Sequence, residues 1–187
     1  MMTIERQIED MAACLPEWQM TRIAERTAFW VGELTPYNTT YRVRVEHTVP
    51  PVIEYQCLLR LQPLVEVLSP RLQRRNGSAE GALPHVYWEH PRAARPGPFL
   101  CVFDADAREW TLSDPLSTTT IPFTLNWLQS YEGWLATGKW LGLGRHAGQE
   151  RTGEPNYKLE PGTGPDTPRS SLDRFAALAA STAALGS

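Results

Sequence analysis

The segment YRVRVEH, residues 41–47, constrains the fold more than any other part of the chain. Apolar residues at positions 41, 43 and 45 alternate with charged residues at 42, 44 and 46, which predicts a β-strand with one buried and one solvated face. His47 continues the apolar face, where we expect a core histidine with satisfied ring nitrogens. Turn residues in PYNTT, 36–40, precede the strand and the Pro50–Pro51 pair follows it, so we expect an antiparallel hairpin.

Helical and β patterns on both sides of this strand give the order of the elements. Thr3 is placed to cap a first helix whose apolar face ends at Pro16, and residues 18–34 are β-like with a break at 25–27. A further strand is expected over 63–70, between prolines. Aromatic residues at helical spacing predict a second helix over 122–137, ended by Gly138. The predicted fold class is α+β, with a helix packed on one face of an antiparallel sheet.

Composition excludes several classes of protein. The 187 residues are 42% hydrophobic, which suits one domain, and a net charge of −3 argues against nucleic acid or an anionic membrane as a partner. Phosphate-binding, dinucleotide-binding and zinc-hydrolase motifs are missing, and the four histidines lack metal-ligand spacing, so we expect neither cofactor nor metal. Three widely spaced cysteines without a CxxC pair, and an acidic N-terminus unlike a secretory signal, indicate a cytoplasmic protein.

Two segments have the composition of loops or tails. Residues 71–82, RLQRRNGSAEGA, form a polar insertion whose arginines we expect to be solvated. After about residue 144 the chain becomes rich in Gly, Pro, Thr and charged residues. We therefore expect a folded domain over 1–145, and a flexible tail over 146–187 with a short Ala-rich helix near its end.

Cys101 lies in PGPFLCVFDADAREW, residues 96–110, between apolar residues and a run of acids. A cysteine hydrolase needs a low-pKa thiolate, typically at a helix N-terminus beside a histidine. Here the apolar neighbours desolvate the sulfur, and Asp104, Asp106 and Glu109 add negative charge, so both effects raise the pKa of the thiol. The residues leave two alternatives open: a buried core thiol, or an acyl carrier that accepts an already activated acyl group.

Several features surround Cys101 in a specific order. His90-Pro91-Arg92 lies eleven residues before it, Trp110 lies nine residues after it, and TLSDPLSTTTIP leads from there into the second predicted helix. This arrangement resembles the ubiquitin-conjugating enzymes, in which a His-Pro-Asn tripeptide precedes the catalytic cysteine and a tryptophan follows it. The resemblance covers residues 3–140. It implies a ubiquitin-conjugating-enzyme-like fold: an antiparallel four-stranded meander with an N-terminal helix and a helix after the active-site loop.

The resemblance also implies roles for individual residues. Cys101 is the catalytic residue that forms the thioester, His90 and Pro91 shape the loop beneath it, and Trp110 packs on that loop. Arg92 replaces the family's asparagine, which supports the oxyanion when a lysine attacks the thioester.

Three charged side chains near this loop have two interpretations each. Arg92 and Arg95 either help to hold the incoming carboxyl group or are plain surface arginines. Asp104 either orients an attacking nucleophile or solvates the loop, and we favour the second.

The phrases FLCVFDADAREW and NWLQSYEGWLATGKW are similar to divergent single-domain bacterial members encoded beside cyclic-oligonucleotide synthases in anti-phage signalling (CBASS) operons. This similarity implies that Cys101 bonds with the C-terminus of a partner protein, a cGAS/DncV-like nucleotidyltransferase, and so controls its activity. The alternative is a catalytically inactive conjugating-fold module that binds the same kind of partner. A cysteine hydrolase with His85 or His90 as its base is disfavoured by the acidic, apolar surroundings.

Overall fold

An antiparallel sheet of four strands forms the centre of the protein. The computed structural model describes residues 1–51, 61–79, 81–90, 92–104 and 109–142. The strands are β1 (Gln19–Ala24), β2 (Thr27–Leu34), β3 (Tyr41–Thr48) and β4 (Leu64–Ser69), and they lie in the order β1-β2-β3-β4. The predicted four-stranded meander is therefore confirmed.

The alternation of strand β3 determines which face of the sheet is buried. Its residues alternate between buried and partly or fully exposed positions along the whole strand, as the sequence predicts. Val45 pairs with Trp30 on one side and with Val65 on the other, and all three are almost fully buried. A continuous apolar layer thus crosses the central strands and forms the main core.

The first helix, α1 (Ile4–Cys14), begins at Thr3, whose hydroxyl accepts a hydrogen bond from the Arg6 N–H at 3.2 Å. Its buried face contains Gln7 beside apolar residues. The Gln7 amide donates to the Asp114 carbonyl at 2.9 Å and accepts from the Leu116 N–H at 3.0 Å. A fully buried amide with both ends satisfied joins this helix to the segment before the second one.

The second helix, α2 (Thr120–Thr137), begins two residues earlier than the pattern predicts. Pro122 lies in its first turn, where a missing N–H removes no intrahelical hydrogen bond. Trp127, Tyr131 and Trp134 are buried at helical spacing, and Gly138 ends the helix in the left-handed conformation. Neither described helix is long and apolar enough to cross a membrane.

The polar insertion contacts the end of α2, so the expectation of solvated arginines is wrong for Arg75. Its guanidinium donates to the carbonyl oxygens of Leu135 at 2.5 Å and Trp134 at 3.3 Å. These carbonyls lie in the last turn of the helix, where a cation is favourable. The Ser78 hydroxyl accepts from the Trp134 indole at 3.0 Å and donates to the Gly138 carbonyl. The insertion therefore binds the C-terminal end of α2 through Arg75 and Ser78.

A short hairpin outside the main sheet holds the segment before Cys101. Strand β5 (Val86–Tyr87) pairs antiparallel with β6 (Phe99–Leu100). The Gly97 N–H donates to the Trp88 carbonyl at 2.8 Å and extends the pairing. The chain divides into two units, Met1–Ala147 and Gly148–Ser187, and every described residue belongs to the first. The expected tail, with its helix, lies outside the described residues and stays a prediction.

Candidate functional site

The backbone of Cys101 is fixed by one carbonyl group. The Cys101 N–H donates to the His85 carbonyl at 2.9 Å, and the Trp127 indole N–H donates to the same oxygen at 2.9 Å. His85 has a left-handed backbone, φ 52°, and its ring stacks on Trp140 with centroids 4.6 Å apart. The His85 carbonyl therefore joins the residue after β6 to the buried face of α2.

The sulfur of Cys101 lies beside a phenol. Cys101 Sγ is 3.0 Å from the Tyr87 hydroxyl oxygen and 3.8 Å from the Phe103 carbonyl oxygen. The residue is partly exposed, whereas Phe99 and Leu100 before it are buried. A thiol in this position donates a weak hydrogen bond, and a thiolate accepts one from the Tyr87 O–H. The sulfur thus lies at the edge of the core, on a partly exposed residue.

Burial and nearby acids determine the protonation of the thiol. Burial raises the pKa of Cys101 most, Asp104 and Glu109 raise it further by their charge, and the Tyr87 hydrogen bond opposes these effects. Burial and the two acids act in the direction expected from the sequence; Asp106 lies outside the described residues. Cys101 is therefore predominantly a neutral thiol at neutral pH.

His90 lies between aromatic rings of the β5–β6 hairpin. Its ring packs edge-on against Tyr87 and Phe99, with centroids 5.6 and 6.2 Å away. The Arg92 N–H donates to its Nδ1 at 3.3 Å, and the Ala93 N–H donates to its carbonyl at 2.9 Å. His90 thus packs against the tyrosine that contacts Cys101 and accepts hydrogen bonds from residues 92 and 93; Pro91 lies outside the described residues.

Trp110 supports the segment that follows Cys101. It is 1% exposed, and its ring lies 6.2 Å from Phe103 and 5.6 Å from the ring of His47. Phe103 in turn packs at 5.0 Å on Phe123 of α2. Because the Phe103 carbonyl faces the Cys101 sulfur, this aromatic contact positions one wall around the thiol.

The expectation for His47 is right in burial and wrong in hydrogen bonding. The residue is completely buried, yet neither ring nitrogen has a hydrogen-bond partner within the described part of the chain. Burial lowers the pKa of His47 to about 3, and the charge of Arg92 acts in the same direction. His47 is therefore neutral and packs as an aromatic ring beneath Trp110.

The residues of this site lie in a part of the chain that matches a known protein family. A family model described as Type II CBASS E2 protein matches residues 7–147, well over half of the chain. The chain belongs to the Type II CBASS E2 protein family. No curated protein matches it. The resemblance derived from the sequence is thus confirmed at the level of the family, and the chain has an E2-like role with a partner protein in CBASS.

In this CBASS E2 protein, Arg92 is part of the scaffold. Its guanidinium donates to the carbonyl of buried Gln62 at 2.8 Å, and burial lowers its pKa. The interpretation of Arg92 as a plain surface arginine is therefore wrong. Arg95 is about half exposed, pairs with Glu66, and lies over the Phe99 ring at 5.3 Å. The described contacts of both guanidinium groups are with the scaffold rather than with Cys101.

Asp104 is hydrogen-bonded to Glu109. Its N–H donates to a Glu109 carboxylate oxygen at 2.8 Å, and the Glu109 N–H approaches the Asp104 carbonyl at 3.5 Å. These contacts join Asp104 to Glu109, and the charges of both carboxylates act on the Cys101 thiol.

Tyr87 is a residue of this site that the sequence pattern does not predict. It pairs with Phe99 across the β5–β6 hairpin, and Cys101 lies two residues further along, on the same face of an extended chain. A strand of two residues is too short for an alternation pattern to be recognised. The only available signal was a tyrosine three residues before His90 in LPHVYWEHPR.

Proposed function

We propose that Cys101 of this E2 protein accepts the C-terminal acyl group of a partner protein as a thioester. The partner is a cGAS/DncV-like nucleotidyltransferase of the same CBASS system, and acylation controls its activity. The observation that carries the proposal is the partly exposed sulfur of Cys101, 3.0 Å from the Tyr87 hydroxyl on a backbone fixed by the His85 carbonyl. Family membership supports this class of reaction, and the arrangement of the site supports Cys101 Sγ as the reacting atom.

The step requires an acyl group that is already activated, because a mostly protonated thiol is a weak nucleophile toward amides and free carboxylates. The thiol first loses its proton to solvent base, and the Tyr87 O–H donates to the resulting thiolate. The thiolate then attacks the carbonyl carbon of a thioester. A bond from Sγ to carbon forms, the original carbon–sulfur bond breaks, and the departing thiolate takes the electron pair.

A chemically prepared partner tests this step without an activating enzyme. The candidate nucleotidyltransferase is made with a small-molecule thioester at its C-terminus and mixed with wild type, Cys101→Ala, Cys101→Ser and Cys14→Ser proteins. Cys14 is an exposed free thiol far from the hairpin in sequence, so its variant is the matched control.

Gels with and without reductant separate the outcomes. The proposal predicts a thiol-sensitive adduct in wild type and Cys14→Ser, a thiol-resistant ester in smaller yield with Cys101→Ser, and none with Cys101→Ala. If all four proteins bind the partner and none forms an adduct, the protein is an inactive binding module and the proposal is wrong. An adduct that persists in Cys101→Ala and disappears in Cys14→Ser also contradicts it.

A further inference from the structure

A positively charged groove lies next to the β5–β6 hairpin. It has a volume of about 260 Å³, and its walls include Arg71, Arg74, Arg95, Trp88, Glu66 and Pro98. Glu66 is the one acid among the lining residues, and it is shared between Arg95 and Arg44. This arginine groove therefore has an excess of positive charge, although the whole chain has a net charge of −3.

Two of its guanidinium groups lie over aromatic rings. Arg74 lies 4.6 Å over the ring of Trp88, which is 42% exposed, and Arg95 lies 5.3 Å over Phe99. Stacking occupies the face of a guanidinium and leaves edge N–H groups for a carboxylate. Since stacked side chains have already lost much of their rotamer freedom, less entropy is lost when a carboxylate binds. These arginines are suited to recognising an acidic side chain.

The groove is close to Cys101 along the hairpin. Trp88 directly follows Tyr87, whose hydroxyl contacts the sulfur, and the Trp88 carbonyl accepts from Gly97. Pro98 precedes Cys101 by three residues, so their Cα atoms are at most about 11 Å apart. An extended peptide whose last carbonyl lies at Cys101 spans that distance with about three to four residues.

Among the described residues, the charges that act on the sulfur are negative and do not attract a carboxyl terminus. Asp104 and Glu109 are the acids whose charge acts on the Cys101 thiol, and they repel an anionic segment. A positive groove within a few residues offsets this repulsion and brings the peptide to the site.

We infer that the arginine groove binds an acidic stretch located about three to five residues before the C-terminus of the partner protein. The identity of the occupant rests on the proposed function, because that function places a C-terminus at Cys101. Asp or Glu side chains of this stretch form charge-assisted hydrogen bonds with the guanidinium groups of Arg71, Arg74 and Arg95. The groove thereby selects which C-termini reach the thiol.

Fluorescence anisotropy with a synthetic peptide tests the groove apart from the chemistry. The probe is a fluorescein-labelled peptide with glutamates at the third to fifth positions from a free C-terminus, and the matched probe has glutamines there. The protein is the full chain carrying Cys101→Ala, so only non-covalent binding is measured. The glutamate peptide is expected to bind about tenfold or more tightly than the glutamine peptide, with an affinity that falls as salt increases.

A charge-matched pair of variants locates the binding. The triple variant Arg71→Gln, Arg74→Gln, Arg95→Gln is expected to lose about tenfold or more of the affinity for the glutamate peptide. The control triple variant Arg6→Gln, Arg26→Gln, Arg42→Gln removes the same charge from exposed positions elsewhere and is expected to retain it. Circular dichroism shows whether the triple variants are folded. If a triple variant unfolds, the comparison of the two peptides on the Cys101→Ala protein, whose groove is unaltered, still tests the inference.

Three results overturn the inference. They are equal binding of the two peptides, equal loss of affinity in the two triple variants, and tighter binding of a single-stranded oligonucleotide that needs the same three arginines. The thioester assay with wild-type protein distinguishes this from a failure of the proposed function. An adduct that forms without glutamate-dependent binding refutes only the groove, whereas glutamate-dependent binding without an adduct supports the groove and refutes the thioester.

Discussion

The contact between Tyr87 and Cys101 gives the sharpest test of the site. In Tyr87→Phe, the ring that packs against His90 is retained and only the hydroxyl, 3.0 Å from the sulfur, is removed. The thiolate loses a hydrogen bond from a phenol, while the neutral thiol loses only a weak one. We therefore expect the pKa of Cys101, which burial and two acids already raise, to rise further.

The size of the effect follows from the charge on the acceptor. A hydrogen bond to a charged group contributes about 1.5–3 kcal/mol, and the lower value applies to a partly exposed sulfur. About 1.4 kcal/mol corresponds to a tenfold change in the ratio of thiolate to thiol. A more basic thiolate is about threefold more nucleophilic, which offsets part of this loss. Alkylation of Cys101 at neutral pH is thus expected to be about three- to fourfold slower in Tyr87→Phe than in wild type.

Alkylation by iodoacetamide, followed residue by residue with mass spectrometry from about pH 6 to about pH 9.5, measures this change. Cys14 is an internal control in every sample, since it is an exposed free thiol. Tyr37→Phe is the matched control variant, because Tyr37 is an exposed tyrosine elsewhere in the chain. The pH-rate curve of Cys101 is expected to move to higher pH in Tyr87→Phe alone.

The direction of the change in alkylation rate distinguishes loss of the hydrogen bond from loosening of the hairpin. A hairpin loosened by the substitution exposes the sulfur and accelerates its alkylation below neutral pH. If Cys101 in Tyr87→Phe reacts as fast as wild type or faster while Cys14 is unchanged, the hydrogen bond does not stabilise the thiolate and the reasoning fails.

Three further predictions concern the scaffold. His47 has a pKa of about 3 in the folded protein and about 6.5 in the unfolded chain, so the unfolded chain binds a proton that the folded protein does not, and stability present above about pH 6.5 is lost as pH falls. Urea unfolding at about pH 7 and about pH 5 is expected to show a smaller loss of unfolding free energy for His47→Leu than for wild type. Arg75→Ala removes two hydrogen bonds to the end of α2 and is expected to lower the free energy of unfolding by about 1–2 kcal/mol. The control Arg74→Ala is expected to change it by less than about 0.5 kcal/mol, and equal losses in the two variants would contradict the role of Arg75 at the helix end. Gly97→Ala puts a methyl group against the Tyr87 carbonyl and is expected to lower the thermal midpoint, whereas Gly133→Ala, which has open space in a helix, is expected to raise it by an amount equivalent to about 0.5–1 kcal/mol. A higher thermal midpoint for Gly97→Ala than for Gly133→Ala would show that the hairpin is not closely packed at Gly97.

The main sheet and both helices could be predicted because each has a local pattern. Strand β3 alternates over its full length, Thr3 caps α1 through its own side chain, and Gly138 ends α2 in a conformation that glycine favours. These features depend on residues close together in the chain. Only the start of α2 was misplaced, because proline is compatible with a first helical turn.

The candidate site could be predicted only as far as Cys101 and its neighbours in sequence. The direction of the thiol pKa followed from the apolar flanks and acids beside the cysteine. The contacts of Tyr87, Arg75 and Arg92 connect residues 14 to 60 positions apart, through a two-residue strand or an irregular loop. Such contacts have no periodic pattern, so they became visible only in the structure.

Under the proposed function, the raised pKa of Cys101 slows the reactions of its sulfur both before and after acylation. Before it, a mostly protonated sulfur reacts slowly with oxidants and alkylating agents, since the thiolate is the reactive form. After it, the same basic sulfur is a poor leaving group, because thiols of lower pKa leave faster. The burial and acids that keep the free thiol unreactive therefore also slow the loss of an attached acyl group. Release of the proposed thioester then requires an acceptor that is bound next to it, so that on this proposal protein contacts, rather than the thiol itself, control the partner.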